Sequence, residues 1–152
     1  MRKTYDIRQD AERIARIRAS ERSTTGLGLS PAQAPFGSPE WWAAIDDGRI
    51  PLYTVHGVIS RLYVSGLPSP DWPEFEIDAE GERSSWPRMT SDGPPGSPTR
   101  LARDALYELG RPVLLKYVRQ RLRHELPGKA FIKTVLEIWI GGTDARRNHD
   151  AG

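Results

Sequence analysis

Cysteine is absent from this chain of 152 residues, which excludes disulfides, thiolate metal sites, a catalytic thiol and a CxxC redox pair. Lysine is scarce: it supplies 4 of the 22 basic residues and arginine the other 18. With abundant Ala, Gly and Pro, that bias reads as a GC-rich bacterial genome. Long apolar runs are missing as well. The N-terminal stretch MRKTYDIRQDAERIARIRASE starts basic but is crossed by Asp and Glu before any apolar segment develops, unlike an export signal or a membrane span. A cytoplasmic protein with no membrane partner is expected. Nor does one charge dominate: the formal charge is +2 and the pI near 9.1, a balance that permits nucleic acid without implying it.

Recognisable catalytic and cofactor motifs are lacking too. There is no phosphate-binding glycine loop, no GxGxxG behind a strand, no GxSxG and no HExxH. The histidines, His56, His124 and His149, are far apart in sequence and none has a second ligand at metal-binding spacing. Neither metal nor cofactor is expected, and the reading leans away from an enzyme.

What is present suits one domain of ordinary size. Residues 5–22 contain no Gly or Pro, and Ile7, Ala11, Ile14 and Arg18 recur at spacings of three and four. This predicts an N-terminal helix with a thin apolar face and a solvated outer one bearing Arg8, Arg13 and Arg16. Residues 23–37, STTGLGLSPAQAPFG, read as a linker or surface strap. Ser38-Pro39-Glu40 is a helix-start signal and Gly48 a stop, giving a short second helix over 39–47, with Trp42 and Ile45 inward and Trp41 partly sideways.

Residues 50–64 are rich in β-branched and aromatic side chains and predict a long strand bent at Gly57. EFEID alternates with period two, so Phe75 and Ile77 go inward and the acids outward. A turn over 79–82 and a short return strand over 83–88 follow, Pro87 confining the latter to an edge or a strand end. Residues 90–99 are the most disorder-prone interior segment. Residues 101–126 fit either a helix with Leu114, Val118, Leu122 and Leu126 in a stripe or one arm of a hairpin with AFIKTVLEIWI; the hairpin is favoured, because the second segment is β and needs a partner and because residues 106–110 read as a strand entry and not a helix cap.

The expected architecture is α+β: an N-terminal helix and a short second helix packed on a small curved antiparallel sheet or partly open β-barrel of four to five strands. The expected organisation is a charged N-terminal helix and linker over 1–37, an α+β core over 38–142 and a flexible tail over 143–152.

The most distinctive polar feature is Lys116-Tyr117-Val118-Arg119-Gln120-Arg121-Leu122-Arg123. In an extended strand Tyr117, Arg119, Arg121 and Arg123 share one face, an arrangement that can stack bases and grip phosphates. Pairing of those arginines with acids such as Glu74, Glu76 or Glu137 is the structural alternative. The leading expectation is therefore a binding or interaction domain that forms a homodimer, its more specific version contacting nucleic acid. The alternative is a small-molecule-binding barrel or small enzyme whose pocket is lined by Trp42, Tyr53, Tyr63, Trp86 and Trp139, with His56 and Glu76 as weak catalytic candidates. His56 in a strand reads more readily as a packed core residue.

Overall fold

Six strands form one open antiparallel sheet in the order β1-β6-β5-β2-β3-β4. The computed structural model describes residues 1–23, 28–66, 71–91 and 93–142. The strands are β1 (Arg2–Asp6), β2 (Tyr53–Val64), β3 (Pro73–Ala79), β4 (Glu82–Pro87), β5 (Pro112–Leu126) and β6 (Lys129–Ile140). Three helices accompany them: α1 (Ala11–Arg22), α2 (Pro39–Asp46) and α3 (Pro98–Asp104). None of the described helices is long and apolar enough to cross a membrane.

The α+β class expected from the sequence is present, but the barrel and the count of four to five strands are not. β1 and β4 stand at opposite ends of the strand order, so the sheet does not close. The additional strand is β1. Residues 5 and 6 fall within the stretch that reads as the N-terminal helix, yet residues 2–6 pair with β6, Arg2 opposite Ile140 and Asp6 opposite Glu137. A 3-10 turn over Ile7–Gln9 and the cap at Asp10, whose carboxylate accepts from Arg13 N at 3.2 Å, delay α1 to Ala11. Buried Thr4 and Tyr5 find partners across the sheet that no local periodicity announces. The third helix starts at the end of the segment 90–99 expected to be disorder-prone and runs on to Asp104: Ser97 caps it by accepting from Arg100 N, and Pro98 opens it. The expected tail over 143–152, His149 included, lies outside the described residues, as do residues 24–27 of the strap, 67–70 and 92.

Contacts divide the chain into two compact units. Within residues 1–6, 54–115 and 137–142, the core is Ile59, Phe75, Ile77, Val113, Leu115, Ile138 and Ile140, each at most 1 % exposed, with Trp86 and Tyr107 beside them. Phe75 and Ile77 point inward as the alternation requires, and Phe75 lies opposite Trp86 in register. Glu80 and Gly81, both at positive φ, make the two-residue turn between β3 and β4, a conformation that matches the twist of the flanking strands. Gly57 is needed for a different reason. A Cβ there would lie within 2.8 Å of the Asp78 carbonyl carbon and closer still to its oxygen, so β2 and β3 approach only because residue 57 has no side chain. The register between them slips by one residue between Ile59 and Arg61, supplying the bend.

The stretch before α3 is tied to β1. Ser91 N donates to Thr4 O at 3.0 Å, Asp6 N to Ser91 Oγ at 2.9 Å, and Arg103 Nη1 to Ser91 O at 2.6 Å. Tyr107 packs edge-on to Phe75, and its hydroxyl donates to Met89 O at 2.6 Å while accepting from Met89 N at 3.0 Å. Burial pushes that phenol well above the ordinary tyrosine value of 10.0, so it stays a donor.

Within residues 7–53 and 116–136, the core is Ile7, Leu29, Phe36, Trp41, Ala44, Ile50, Val118, Leu122, Val135 and Leu136. α2 begins as expected, Ser38 Oγ accepting from Trp41 N at 3.2 Å ahead of Pro39. Its inward face differs from expectation, since Trp41 is 2 % exposed and Ala44 fully buried, whereas Trp42 and Ile45 are half-buried. Phe36 from the strap decides this by packing on Trp41 with ring centroids 4.4 Å apart. Glu21, in the last turn of α1, is buried and accepts from Phe36 N at 3.0 Å, while Arg18 Nε donates to Phe36 O at 2.6 Å.

Gly57→Ala should cost about 2 kcal/mol or more, because the clash is with backbone; chemical denaturation read by tryptophan fluorescence checks it. The Tyr107 shift also has a sign. The unfolded chain releases its phenolic proton near 10 while the folded chain retains it, so the Tyr107 contribution to stability is whole below about pH 10 and declines above it. Denaturation midpoints of Tyr107→Phe should accordingly fall less steeply than those of the unaltered protein above about pH 10.

Candidate functional site

β5 is extended throughout, so alternate side chains do fall on opposite faces. Val118, Gln120 and Leu122 are buried while Arg119 and Arg121 are exposed. Two apolar anchors and a hydrogen bond from Thr134 Oγ1 to Gln120 Oε1 hold the inward side, which leaves the arginines outward.

Aromatic rings sit under these cations. Tyr53 stacks on Tyr117 with centroids 5.3 Å apart and an angle of 19° between planes, and the Arg119 guanidinium lies 4.6 Å from the Tyr53 ring centre. Lys133 Nζ is 5.5 Å from the Tyr117 ring and the Arg121 guanidinium 5.9 Å from Phe131. Phe131 keeps 46 % of its surface exposed. Each such contact at an exposed site is worth roughly 0.5–1 kcal/mol. Together they hold long, exposed side chains over flat rings, which lowers the entropy to be lost when a partner arrives.

Arg123, the fourth member of the expected stripe, is used internally. Its Nη1 donates to Ser23 O and its Nη2 to Glu21 O and, at 3.2 Å, to Leu29 O. Beside it, Arg123 N donates to Gly28 O at 2.8 Å and Ser30 N to Arg121 O at 2.9 Å, pairing the strap with β5. The guanidinium satisfies carbonyls at the end of α1 and in the strap, which makes it a structural clamp.

The remaining sequence candidates fall into separate surroundings. Trp42 is half-buried beneath the Arg8 guanidinium at 3.8 Å. Tyr63 lies under Arg61 at 4.4 Å and Trp139 under Lys3 at 4.9 Å, while Trp86 is buried with Nε1 donating to Ser84 Oγ at 2.8 Å. Of the five aromatic candidates, Trp42 and Tyr53 belong to one compact unit and Tyr63, Trp86 and Trp139 to the other. His56 is exposed, not packed into the core. Glu76 is half-buried and accepts from Ser60 Oγ at 2.9 Å. Glu137, weighed as a partner for the arginine row, lies 3.4 Å from Lys3 Nζ, and Lys3 also bonds Asp6 Oδ2 at 2.9 Å; these carboxylates raise the Lys3 pKa.

Charge is unevenly divided between the units. Residues 7–53 and 116–136 carry twelve Arg and Lys against seven Asp and Glu, a net +5. The rest of the chain carries ten against thirteen, a net −3. The near-neutral total thus conceals a basic part, and Arg119, Arg121 and Lys133 are its ring-supported cations.

A family model described as Immunity protein RhsI2 matches residues 1–141. The chain belongs to that family. No curated protein matches it. Membership overturns the functions expected from the sequence, because the partner of an Rhs immunity protein is a toxin protein. Nucleic-acid recognition by Tyr117, Arg119, Arg121 and Arg123 is withdrawn, as are the small-molecule pocket or small enzyme and the homodimer. A cationic row on a strand is common to phosphate-binding and protein-binding surfaces, so the row alone did not select between them.

Tyr53, Phe131 and Lys133 escaped the sequence reading as companions of the arginine row. The odd-numbered alternation of Phe131 and Lys133 carried part of the signal, whereas Tyr53 reaches Tyr117 only through long-range strand placement. Stability should separate Arg123 from its neighbours. Arg123→Ala leaves carbonyls unpaired and should destabilise the fold by about 1–3 kcal/mol, while Arg119→Ala and Arg121→Ala should each stay within about 0.5–1 kcal/mol of the unaltered protein, as read by urea titration.

Proposed function

We propose that this chain neutralises a cognate Rhs toxin by binding it directly and stoichiometrically, as one folded protein occupying another. The observation that carries the reading is the immunity-protein family model spanning residues 1–141. The exposed face of β5 and β6 is in keeping with it. Tyr, Arg and Phe are enriched in the centres of protein interfaces, where large rigid rings and planar guanidinium groups give much contact area for little lost rotamer freedom. The cytoplasm of the producing cell is the proposed site of action, and a chain without cysteine has nothing to lose in a reducing compartment.

Inhibition by occupancy has a stoichiometric signature. Purified chain mixed with the toxin domain of the Rhs protein from the same strain should form a 1:1 complex by size-exclusion chromatography with light scattering. Protection of cells expressing that toxin should require the two proteins in comparable amounts. Full protection at a small fraction of the toxin concentration, without an isolable complex, would overturn the reading in favour of turnover.

A further inference from the structure

We infer that the toxin is held through the ring-supported cations of β5 and β6, and that the surface it presents to them is rich in carboxylates. This rests on the proposed toxin binding and adds the place and the chemistry of contact.

Three observations converge on it. The first is composition: Arg119 and Arg121 project outward from β5, Lys133 from β6, and Tyr53, Tyr117 and Phe131 lie at their bases. The second is rigidity. Arg119 cannot drop towards the sheet without displacing the Tyr53–Tyr117 stack, and Tyr117 is itself only 7 % exposed, so the guanidinium is presented on a packed base. The third is charge: this face belongs to the unit with a net +5, while the other carries −3. A partner approaching the basic face is selected by carboxylates, which planar guanidinium groups engage with two parallel hydrogen bonds. A toxin surface of like charge would be repelled at the same place.

Phe131 adds the apolar component. Exposed by 46 % beside Arg121, it offers a ring that a partner side chain can cover, removing water from around the ion pairs and strengthening them. The acids of β3 do not compete as the docking surface for such a partner. Glu76 accepts from Ser60, and Asp78 accepts from Gly81 N at 2.8 Å and faces Arg83. Those carboxylates are engaged within the sheet and carry the wrong sign.

The test is Arg119→Glu combined with Arg121→Glu, measured against the toxin domain by biolayer interferometry, with thermal melting to confirm folding. Arg2→Glu with Arg83→Glu, on edge strands β1 and β4, gives the same change in net charge away from this face. The double reversal on β5 should weaken binding about 100-fold or more and abolish protection, and the edge-strand pair should remain within about threefold of the unaltered protein. Arg119→Gln with Arg121→Gln should give an intermediate loss, keeping the inference testable if the reversal fails to fold. Association of the unaltered protein should slow about tenfold or more between low and high salt. If the unaltered protein binds and the β5 reversal binds equally well, this contact surface is wrong while toxin binding stands. Equal losses from both reversals would replace a local face with overall charge. No binding by the unaltered protein would remove the proposed function, and this inference with it.

Discussion

The anchoring of β5 by buried Val118, Gln120 and Leu122 is the constraint on which the candidate site depends. At Val113 and Leu115 the odd-numbered side chains enter a core; from Val118 through Leu122 it is the even-numbered ones. A strand offers each face only every second position, so within residues 116–136 the even-numbered side chains of β5 are its anchors. The change from odd to even falls at Tyr117 and Val118, both buried, where the stacked Tyr53 takes up the odd face and Val118 opens the even one. Beyond that point Arg119 and Arg121 are exposed, while Arg123 is bonded to the strap and the end of α1. Arg119 and Arg121 can then carry charge on a strand whose other side is anchored.

The same arrangement explains why chemically identical neighbours have different uses. Arg121 and Arg123 are two residues apart and of the same parity, yet the strap reaches β5 at Gly28, Leu29 and Ser30 and offers carbonyls to one of them. A guanidinium close to unpaired carbonyls is drawn to them because its five donors have no better partner in reach. Arg121 lies over the Phe131 ring instead. The roles are assigned by the strap and not by the strand.

Several elements are legible because the forces that determine them are local. Ser38-Pro39 started α2, the alternation of Phe75 and Ile77 gave β3, the turn near Gly81 joined β3 to β4, and the hairpin of β5 with β6 was chosen correctly over a helix. Elements governed by distant contacts were missed or misassigned. β1 carries a pattern as compatible with a helix as with a strand, and only pairing with β6 decides it. Trp41 and not Trp42 turns inward because Phe36 lies against it. α3 follows a Gly- and Pro-rich stretch that masks a good Ser-Pro cap. At the candidate site the arginine row and Tyr117 were legible from parity, but the internal use of Arg123 was not, since nothing in its immediate neighbours foretells the strap. The function was not legible at all: a basic aromatic face has no local feature that names its partner, and family membership supplied what composition did not.

The Arg123 clamp has a consequence for how such a chain can diversify. Because Arg123 is bonded to the strap and the end of α1 while Arg119 and Arg121 are exposed over rings, substitutions at the outer pair are expected to alter the presented surface at less cost to the fold. The scaffold and the recognition chemistry are thus decoupled within five residues of one strand. Under the proposed toxin binding, a lineage meeting a changed toxin would rewrite its contacts there one position at a time, with the Arg123 clamp left in place.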